Sequence, residues 1–187
     1  MPASQPSQFV FAYGSLVHDL GVHGAKRRTA HLRDHRRAWN VAMDNALSLP
    51  GYKYYVDARD SSRPEVMVTF LNLVFAPGQR VNGMLVPVDA SALAELDRRE
   101  RNYERREVST SIEPAPGARV WSYFGRPAAR ERFEHGARAG RAVVDESYLD
   151  GVRAGFAALG DESLAEFDAS TEPHGCGVLE LVRVELS

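Results

Sequence analysis

Two long, apolar, β-branched runs, Val66 to Phe75 and Val81 to Val88, are separated only by a short stretch that contains Pro77-Gly78. Runs of this kind read as buried strands and the Pro-Gly pair as a turn, so the spacing predicts a β-hairpin. Further strand-like segments are Phe9 to Tyr13, Trp39 to Met43, Arg106 to Ile112, Arg119 to Phe124 and Val178 to Leu186. A helix is expected from Ser91 to about Arg101, capped by Asp89 or Ser91. A second, Ser147 to Leu159, puts Tyr148, Val152, Gly155, Phe156 and Leu159 on one side, and a third should begin near Asp161. Between His18 and Arg37 a short helix and a loop both remain open. Asn45 to Pro64 reads as an excursion rich in turn formers around Tyr52, Tyr54 and Tyr55. With no repeat, linker or low-complexity tract, the expectation is one α+β domain over residues 1–187, built on a mixed, barrel-like β-sheet with flanking helices.

Composition narrows the class of function. An apolar content of 44% supports one sizeable core, and a formal charge of -2 with interspersed signs gives no broad basic field for nucleic acid or an anionic membrane. Cys176 is the single cysteine, which excludes an intramolecular disulfide and argues against a thiolate metal cluster. His174 and Cys176 have near-ligand spacing but no further partner, so they read as a loop. The polar stretch Met1 to Gln8 has neither a basic segment nor a long apolar run after it, and the expected location is the cytoplasm. The clusters Lys26-Arg27-Arg28 and Arg36-Arg37 read as solvated surface. Small-molecule chemistry without a metal or cofactor is the expectation that remains.

Two segments carry candidate chemistry. At 100° per residue Leu93, Leu96, Glu100 and Tyr103 share about a quarter of the helical wheel, which aims Glu100 where the apolar residues point. A carboxylate turned away from water either finds a partner or shifts its pKa upward, and a raised carboxyl suits proton transfer near neutral pH. The same placement suits a buried carboxylate paired with an arginine or hydroxyl. The second segment is Phe11-Ala12-Tyr13-Gly14-Ser15-Leu16, a strand running into a loop whose successive N–H groups could cradle a carboxylate or oxyanion. An ordinary turn is the plainer reading of Gly14-Ser15.

Together these segments resemble the gamma-glutamylcyclotransferase-like superfamily. The Tyr13-Gly14-Ser15-Leu16 loop is similar to its signature loop, and Val81-Asn82-Gly83-Met84-Leu85 followed by Leu93, Leu96-Asp97, Glu100 and Tyr103 resembles its strand, helix and glutamate segment. Val120-Trp121-Ser122-Tyr123 and Ser147-Tyr148-Leu149 resemble its closing strand and C-terminal helix. The chain departs from the family in having Arg101-Asn102 where a glycine often follows the glutamate. The resemblance implies the gamma-glutamylcyclotransferase-like fold and conversion of a γ-glutamyl compound to 5-oxoproline with release of the amine. Glu100 would be the catalytic acid/base; Tyr13, Gly14, Ser15, Leu16, Tyr103 and Tyr123 would bind substrate. Glutathione, a γ-glutamyl amino acid and a γ-glutamyl amine all remain open as substrate. A module that keeps the fold and pocket without turnover is the alternative.

Overall fold

A computed structural model describes residues 8–21 and 28–186. The polar Met1 to Ser7 and Lys26-Arg27 of the first basic cluster lie outside the described residues. In chain order the elements are β1 (Gln8–Ala12), α1 (Ser15–Gly21), β2 (Arg28–Asp44), β3 (Lys53–Asp57), β4 (Met67–Pro87), α2 (Ala90–Arg99) and β5 (Tyr103–Glu107). They continue with β6 (Ile112–Glu113), β7 (Arg119–Gly125), α3 (Pro127–Arg138), β8 (Ala142–Asp145), α4 (Glu146–Ala157), α5 (Asp161–Ala169), β9 (Gly177–Leu179) and β10 (Leu181–Glu185).

The two apolar runs do not fold back on one another. They lie end to end as β4, and β2 pairs antiparallel with both, from His35 opposite Phe75 to Asp44 opposite Met67, and from Arg28 opposite Leu85 to Arg33 opposite Arg80. β2, a single strand of 17 residues, pairs with both halves, so Pro77-Gly78 makes a bulge where a hairpin was expected. Pro77 has no N–H to lose there. Gly78 sits at φ 75 and Asp34 opposite at φ 59, and the Gly78 N–H donates to the Asp34 carboxylate at 2.9 Å.

The main sheet runs β5-β7-β1-β4-β2-β6, with β8 parallel to the start of β4 and β9 parallel to β8. Parallel pairing of β1 with β7 beside the antiparallel β1–β4 pair makes it mixed, and it curls into a half-barrel. The excursion after β2 supplies β3, which pairs antiparallel with β10 as a separate two-stranded ribbon, Lys53 opposite Glu185 and Tyr55 opposite Arg183. The closing segment expected as one strand is thus divided at Glu180 between sheet and ribbon. Phe9, Phe11, Leu32, Val81, Leu85, Leu93, Leu96 and Phe156 belong to the main apolar core, and Met43, Tyr55, Phe70 and Leu181 to a smaller one that includes ribbon residues.

Gly83 allows the sheet to close tightly where β4 meets β1. A Cβ there would stand 2.4 Å from the Ala12 carbonyl oxygen and 2.6 Å from the Phe11 ring, and the former is backbone that cannot rotate away. Gly83→Ala should therefore destabilise the fold at the upper end of the roughly 1–3 kcal/mol seen for overpacking. An unchanged thermal melt would show that the close approach of β1 and β4 is not as described.

Candidate functional site

Asp89 caps α2 by accepting from the Ala92 N–H at 2.8 Å, and Leu93 and Leu96 are buried. The helix ends at Arg99, short of the expected Arg101, and Glu100 is its C-cap at φ -85 and ψ 49. Glu100 keeps the direction of Leu96 because its N–H still bonds the Leu96 carbonyl at 2.8 Å. Tyr103 then turns back, its N–H on the Glu100 carbonyl at 2.9 Å, and opens β5. No glycine is needed in this turn: the non-glycine residues with positive φ among those described are Asp34 and Ser61, neither Arg101 nor Asn102. The buried Asn102 side chain fixes it by donating to the Tyr52 hydroxyl at 3.0 Å and accepting from Arg132 at 2.7 Å.

Glu100 faces a cavity of three adjoining lobes. A narrow inner lobe of about 30 Å³ is lined by Tyr13, Gly14, Ser15, Leu16, Glu100, Tyr103 and Tyr123, so all seven residues singled out in the sequence meet there, beside Tyr148. That is room for about one water. Glu100, Ser15, Tyr103 and Tyr148 also line a wider lobe of about 230 Å³ with Lys53, Arg99 and Arg183. Ser15 and Tyr148 continue into a third of about 270 Å³. Gly14, Leu16, Tyr13 and Tyr123 touch the narrow lobe and neither of the wider two. A larger open concavity of about 750 Å³ around Gln8, Ser109 and Arg119 contains none of these residues.

The Glu100 side chain is 16% exposed, and its Oε1 lies 3.3 Å from Arg99 Nε. Burial pushes its carboxyl above the usual range; Arg99 and Lys53 pull it back, Asp19 adds to the rise, and Arg183 again lowers it. The Arg99 contact is the arginine partner that the plainer reading of Glu100 expected. It does not close the site, because Arg99 is itself shared with Asp19 and the carboxylate still lines two lobes.

The three tyrosines hold walls with hydroxyls already engaged. Tyr13 donates to the Tyr123 carbonyl at 2.8 Å, Tyr103 to the Leu71 carbonyl at 2.7 Å, and Tyr123 to Asp97 at 2.9 Å. Burial holds all three well above the ordinary tyrosine range, so they are neutral donors near pH 7. Tyr148, which lines the same narrow lobe and is likewise raised by burial, joins them. In the sequence it is an apolar-face residue of α4 and part of the Ser147-Tyr148-Leu149 resemblance, not a site candidate.

Arg37 corrects the reading of Arg36-Arg37 as solvated surface. Arg36 does pair with Glu172 at half-exposed positions, whereas Arg37 is fully buried. Its Nε donates to the Tyr13 carbonyl at 2.8 Å, Nη1 to Ser170 Oγ at 2.7 Å, and Nη2 to the Asn82 carbonyl and to Asn82 Oδ1 at 3.1 Å. The Phe156 and Phe167 rings each lie 4.8 Å from its guanidinium carbon. In a trans peptide the C=O and N–H point in opposite directions, so holding the Tyr13 oxygen toward Arg37 turns the Gly14 N–H the other way. Desolvation lowers the Arg37 pKa to about 9.

Lys53 and Arg183 also went unnoticed in the sequence, and Arg99, which the helical wheel turns away from Glu100 toward water, lies beside it on the cavity wall. A lone lysine among Tyr52, Tyr54 and Tyr55 was a usable signal for Lys53. Arg183 had none, since it meets the site only through pairing of β3 with β10.

Residues 10–140, more than half of the chain, match the family described as gamma-glutamyl cyclotransferase, AIG2-like. The chain belongs to that family. No curated protein matches the chain by sequence. Solved structures share its fold. A protein named gamma-glutamyl cyclotransferase is 16% identical over 92% of this chain and 93% of its own, with a TM-score of 0.52. The human protein loc79017 is 17% identical over 91% and 90%, with a TM-score of 0.53. YkqA from Bacillus subtilis is 16% identical over 93% of this chain and 57% of its own, with a TM-score of 0.57. The mixed sheet with flanking helices is thus the fold of gamma-glutamyl cyclotransferases. The family match covers the Tyr13 to Leu16 loop, β4 and Glu100, and ends before α4 and β10.

Proposed function

We propose that this chain is an enzyme that cyclises a γ-glutamyl compound to 5-oxoproline and releases the attached amine, with Glu100 as the acid/base. The observation that carries the reading is the shared cavity of Glu100 and Ser15, with a carboxyl whose pKa burial has raised. Nucleophile and electrophile belong to one substrate, so the protein has only to fold it and move protons. Glu100 takes a proton from the α-ammonium group, and the freed amine attacks the γ-carbonyl carbon. N–H groups of Gly14, Ser15 and Leu16 hold the developing oxyanion or the substrate carboxylate. Protonated Glu100 then returns its proton to the departing nitrogen as the original C–N bond breaks, and the ring nitrogen gives up its second proton to water, leaving the lactam and a free amine. Incubation with γ-glutamyl dipeptides, glutathione and γ-glutamyl amides, followed by mass spectrometry for 5-oxoproline, tests it. Binding without product would favour the non-catalytic module.

The raised Glu100 carboxyl sets a pH dependence. As a base it must be ionised, so activity should be lost as pH falls through its folded-state pKa. That acidic limb of kcat/KM should lie above the ordinary glutamate value of about 4.3. The stability effect has the opposite sense: a raised carboxyl stabilises the fold below the unfolded pKa, and that contribution disappears as pH rises through the folded one. A kcat/KM profile flat down to pH 4 would contradict the assignment.

A further inference from the structure

Lys53 is a cation inside the cavity with no carboxylate of its own. It lines both wider lobes, and its ammonium lies 4.8 Å from the Phe70 ring centroid, 5.7 Å from Tyr55 and 6.0 Å from Tyr52. Among the described residues it makes no ion pair or side-chain hydrogen bond. The neighbouring acids are engaged: Glu185 with Arg183, Asp19 with Arg99, and Glu100 with Arg99. Asp145 caps α4 through the Ser147 and Tyr148 N–H groups and accepts from the Leu181 N–H. Aromatic faces stabilise a cation only in part, and a desolvated charge without a counter-ion is unfavourable. The lobe of about 230 Å³ is lined by Lys53, Arg98, Arg99, Arg101 and Arg183 against Glu100 and Glu185, and so carries a surplus of positive charge where Lys53, Arg99 and Arg183 converge.

We propose that Lys53, with Arg183 and Arg99 beside it, forms an anion subsite for a carboxylate carried on the amine half of the γ-glutamyl substrate. The inference rests on the proposed cyclisation and names its substrate class: γ-glutamyl derivatives of amino acids or peptides, in preference to those of neutral or cationic amines. Position favours the amine half. The loop N–H groups of Gly14 and Leu16 adjoin the narrow lobe, whereas Lys53 and Arg183 line the wider lobes and not the narrow one. With only the γ-carbonyl oxygen in the narrow lobe, which has room for about one water, the carbonyl carbon stands beside Glu100 and the amine half extends through a wider lobe toward Lys53. Arg183 stands on β10, outside the residues 10–140 that match the family, whereas Lys53 on β3 and Arg99 on α2 lie within them.

The subsite should weaken with rising pH. The groups facing Lys53 are Tyr52 just before β3 and Tyr55 within it, Phe70 from β4, His18 and Asp19 from α1, Arg99 and Glu100 from the end of α2, Asp145 and Tyr148 at the start of α4, and Arg183 and Glu185 from β10. Burial first, then Arg183 and Arg99, bring the Lys53 pKa down to about 8, against the opposing pull of Glu100 and Glu185. Tyr52, Tyr55 and Tyr148 are shifted upward and stay neutral through this range.

A competition between γ-glutamylglycine and γ-glutamylethylamide isolates the carboxylate, because the two share the γ-glutamyl half. Glycine and ethylamine released from an equimolar mixture give the ratio of kcat/KM values directly. The wild-type protein should favour γ-glutamylglycine by about tenfold or more, the scale of one charge-assisted hydrogen bond in a partly solvated site. Lys53→Gln should reduce that ratio about tenfold, as should a rise in pH through 8 with the wild type. Arg183→Gln, on the other strand of the ribbon, should reduce it in the same direction. An unchanged ratio in folded Lys53→Gln, or a wild-type preference for the ethylamide, overturns the subsite; loss of both substrates in equal proportion places Lys53 on the α-carboxylate and also overturns it. Should neither compound yield 5-oxoproline, the cyclisation reading fails separately. Calorimetric affinities of the same two compounds then decide the subsite by the same ratio, and absence of binding to either counts against it.

Discussion

Glu100→Gln should lower turnover by about 10²- to 10⁴-fold, the range for removal of a general acid/base, while the protein remains folded. The amide keeps the size and hydrogen-bonding reach of the carboxylate but cannot take a proton from the α-ammonium group and return it to the leaving nitrogen. Stability separates this from a structural ion pair. Had Glu100 been the necessary partner of a buried arginine, its loss would strand a charge at a cost of about 3–5 kcal/mol. Arg99 is 38% exposed and holds Asp19 as well, so it is not stranded. Because burial raises the Glu100 carboxyl, removing its charge at neutral pH also relieves a desolvation penalty. The Tm of Glu100→Gln at pH 7 should therefore stay near that of the wild type. A large fall in Tm with turnover retained in the folded fraction would return Glu100 to a purely structural role.

The second large effect is on stability. Arg37→Met should remove about 3 kcal/mol or more, since the Tyr13 carbonyl, the Asn82 carbonyl and Asn82 Oδ1 would lose the donors they now share in a fully buried place. For a chain of this size that corresponds to a fall in Tm of roughly 6–12 °C. Arg37→Lys should recover only part of it, because an ammonium keeps the charge but not the planar fork that reaches Tyr13, Asn82 and Ser170 together. Thermal melts of the three proteins check this, and an Arg37→Met melt within about 1 °C of wild type would show that the buried guanidinium contributes nothing net. Activity carries a second expectation. With the Tyr13 oxygen released, the Gly14 N–H is no longer aimed, and kcat/KM well below Tm should fall for Arg37→Met even in fully folded protein.

What could be read in the sequence was what local chemistry determines. Asp89 capped α2 as expected, α4 ran from Glu146 close to the expected start at Ser147, and the strands at Phe9 and Arg119 lay where their β-branched and aromatic residues put them. The loop residues and Glu100 line one lobe, the arrangement that the family resemblance implies. Features set by distant partners were not legible. Pro77-Gly78 has the composition of a hairpin turn, and only the length of β2 makes it a bulge. Arg36 and Arg37 are adjacent in a strand and point to opposite faces, so one is at the surface and the other in the core, though the pair reads as one basic cluster. The ribbon depends on pairing Lys53 with a residue 132 positions later. One miss was avoidable: Pro127 at the first turn of α3, followed by Ala128-Ala129, is an ordinary helix start, yet α3 was not expected.

The most direct test of the account is to incubate wild-type protein and Glu100→Gln side by side with γ-glutamylglycine and to quantify 5-oxoproline and glycine by mass spectrometry. The account predicts the two products in equal amounts from the wild type and at least about a hundredfold less of both from the folded variant. Equal product from the two proteins, or free glutamate in place of 5-oxoproline, would contradict it.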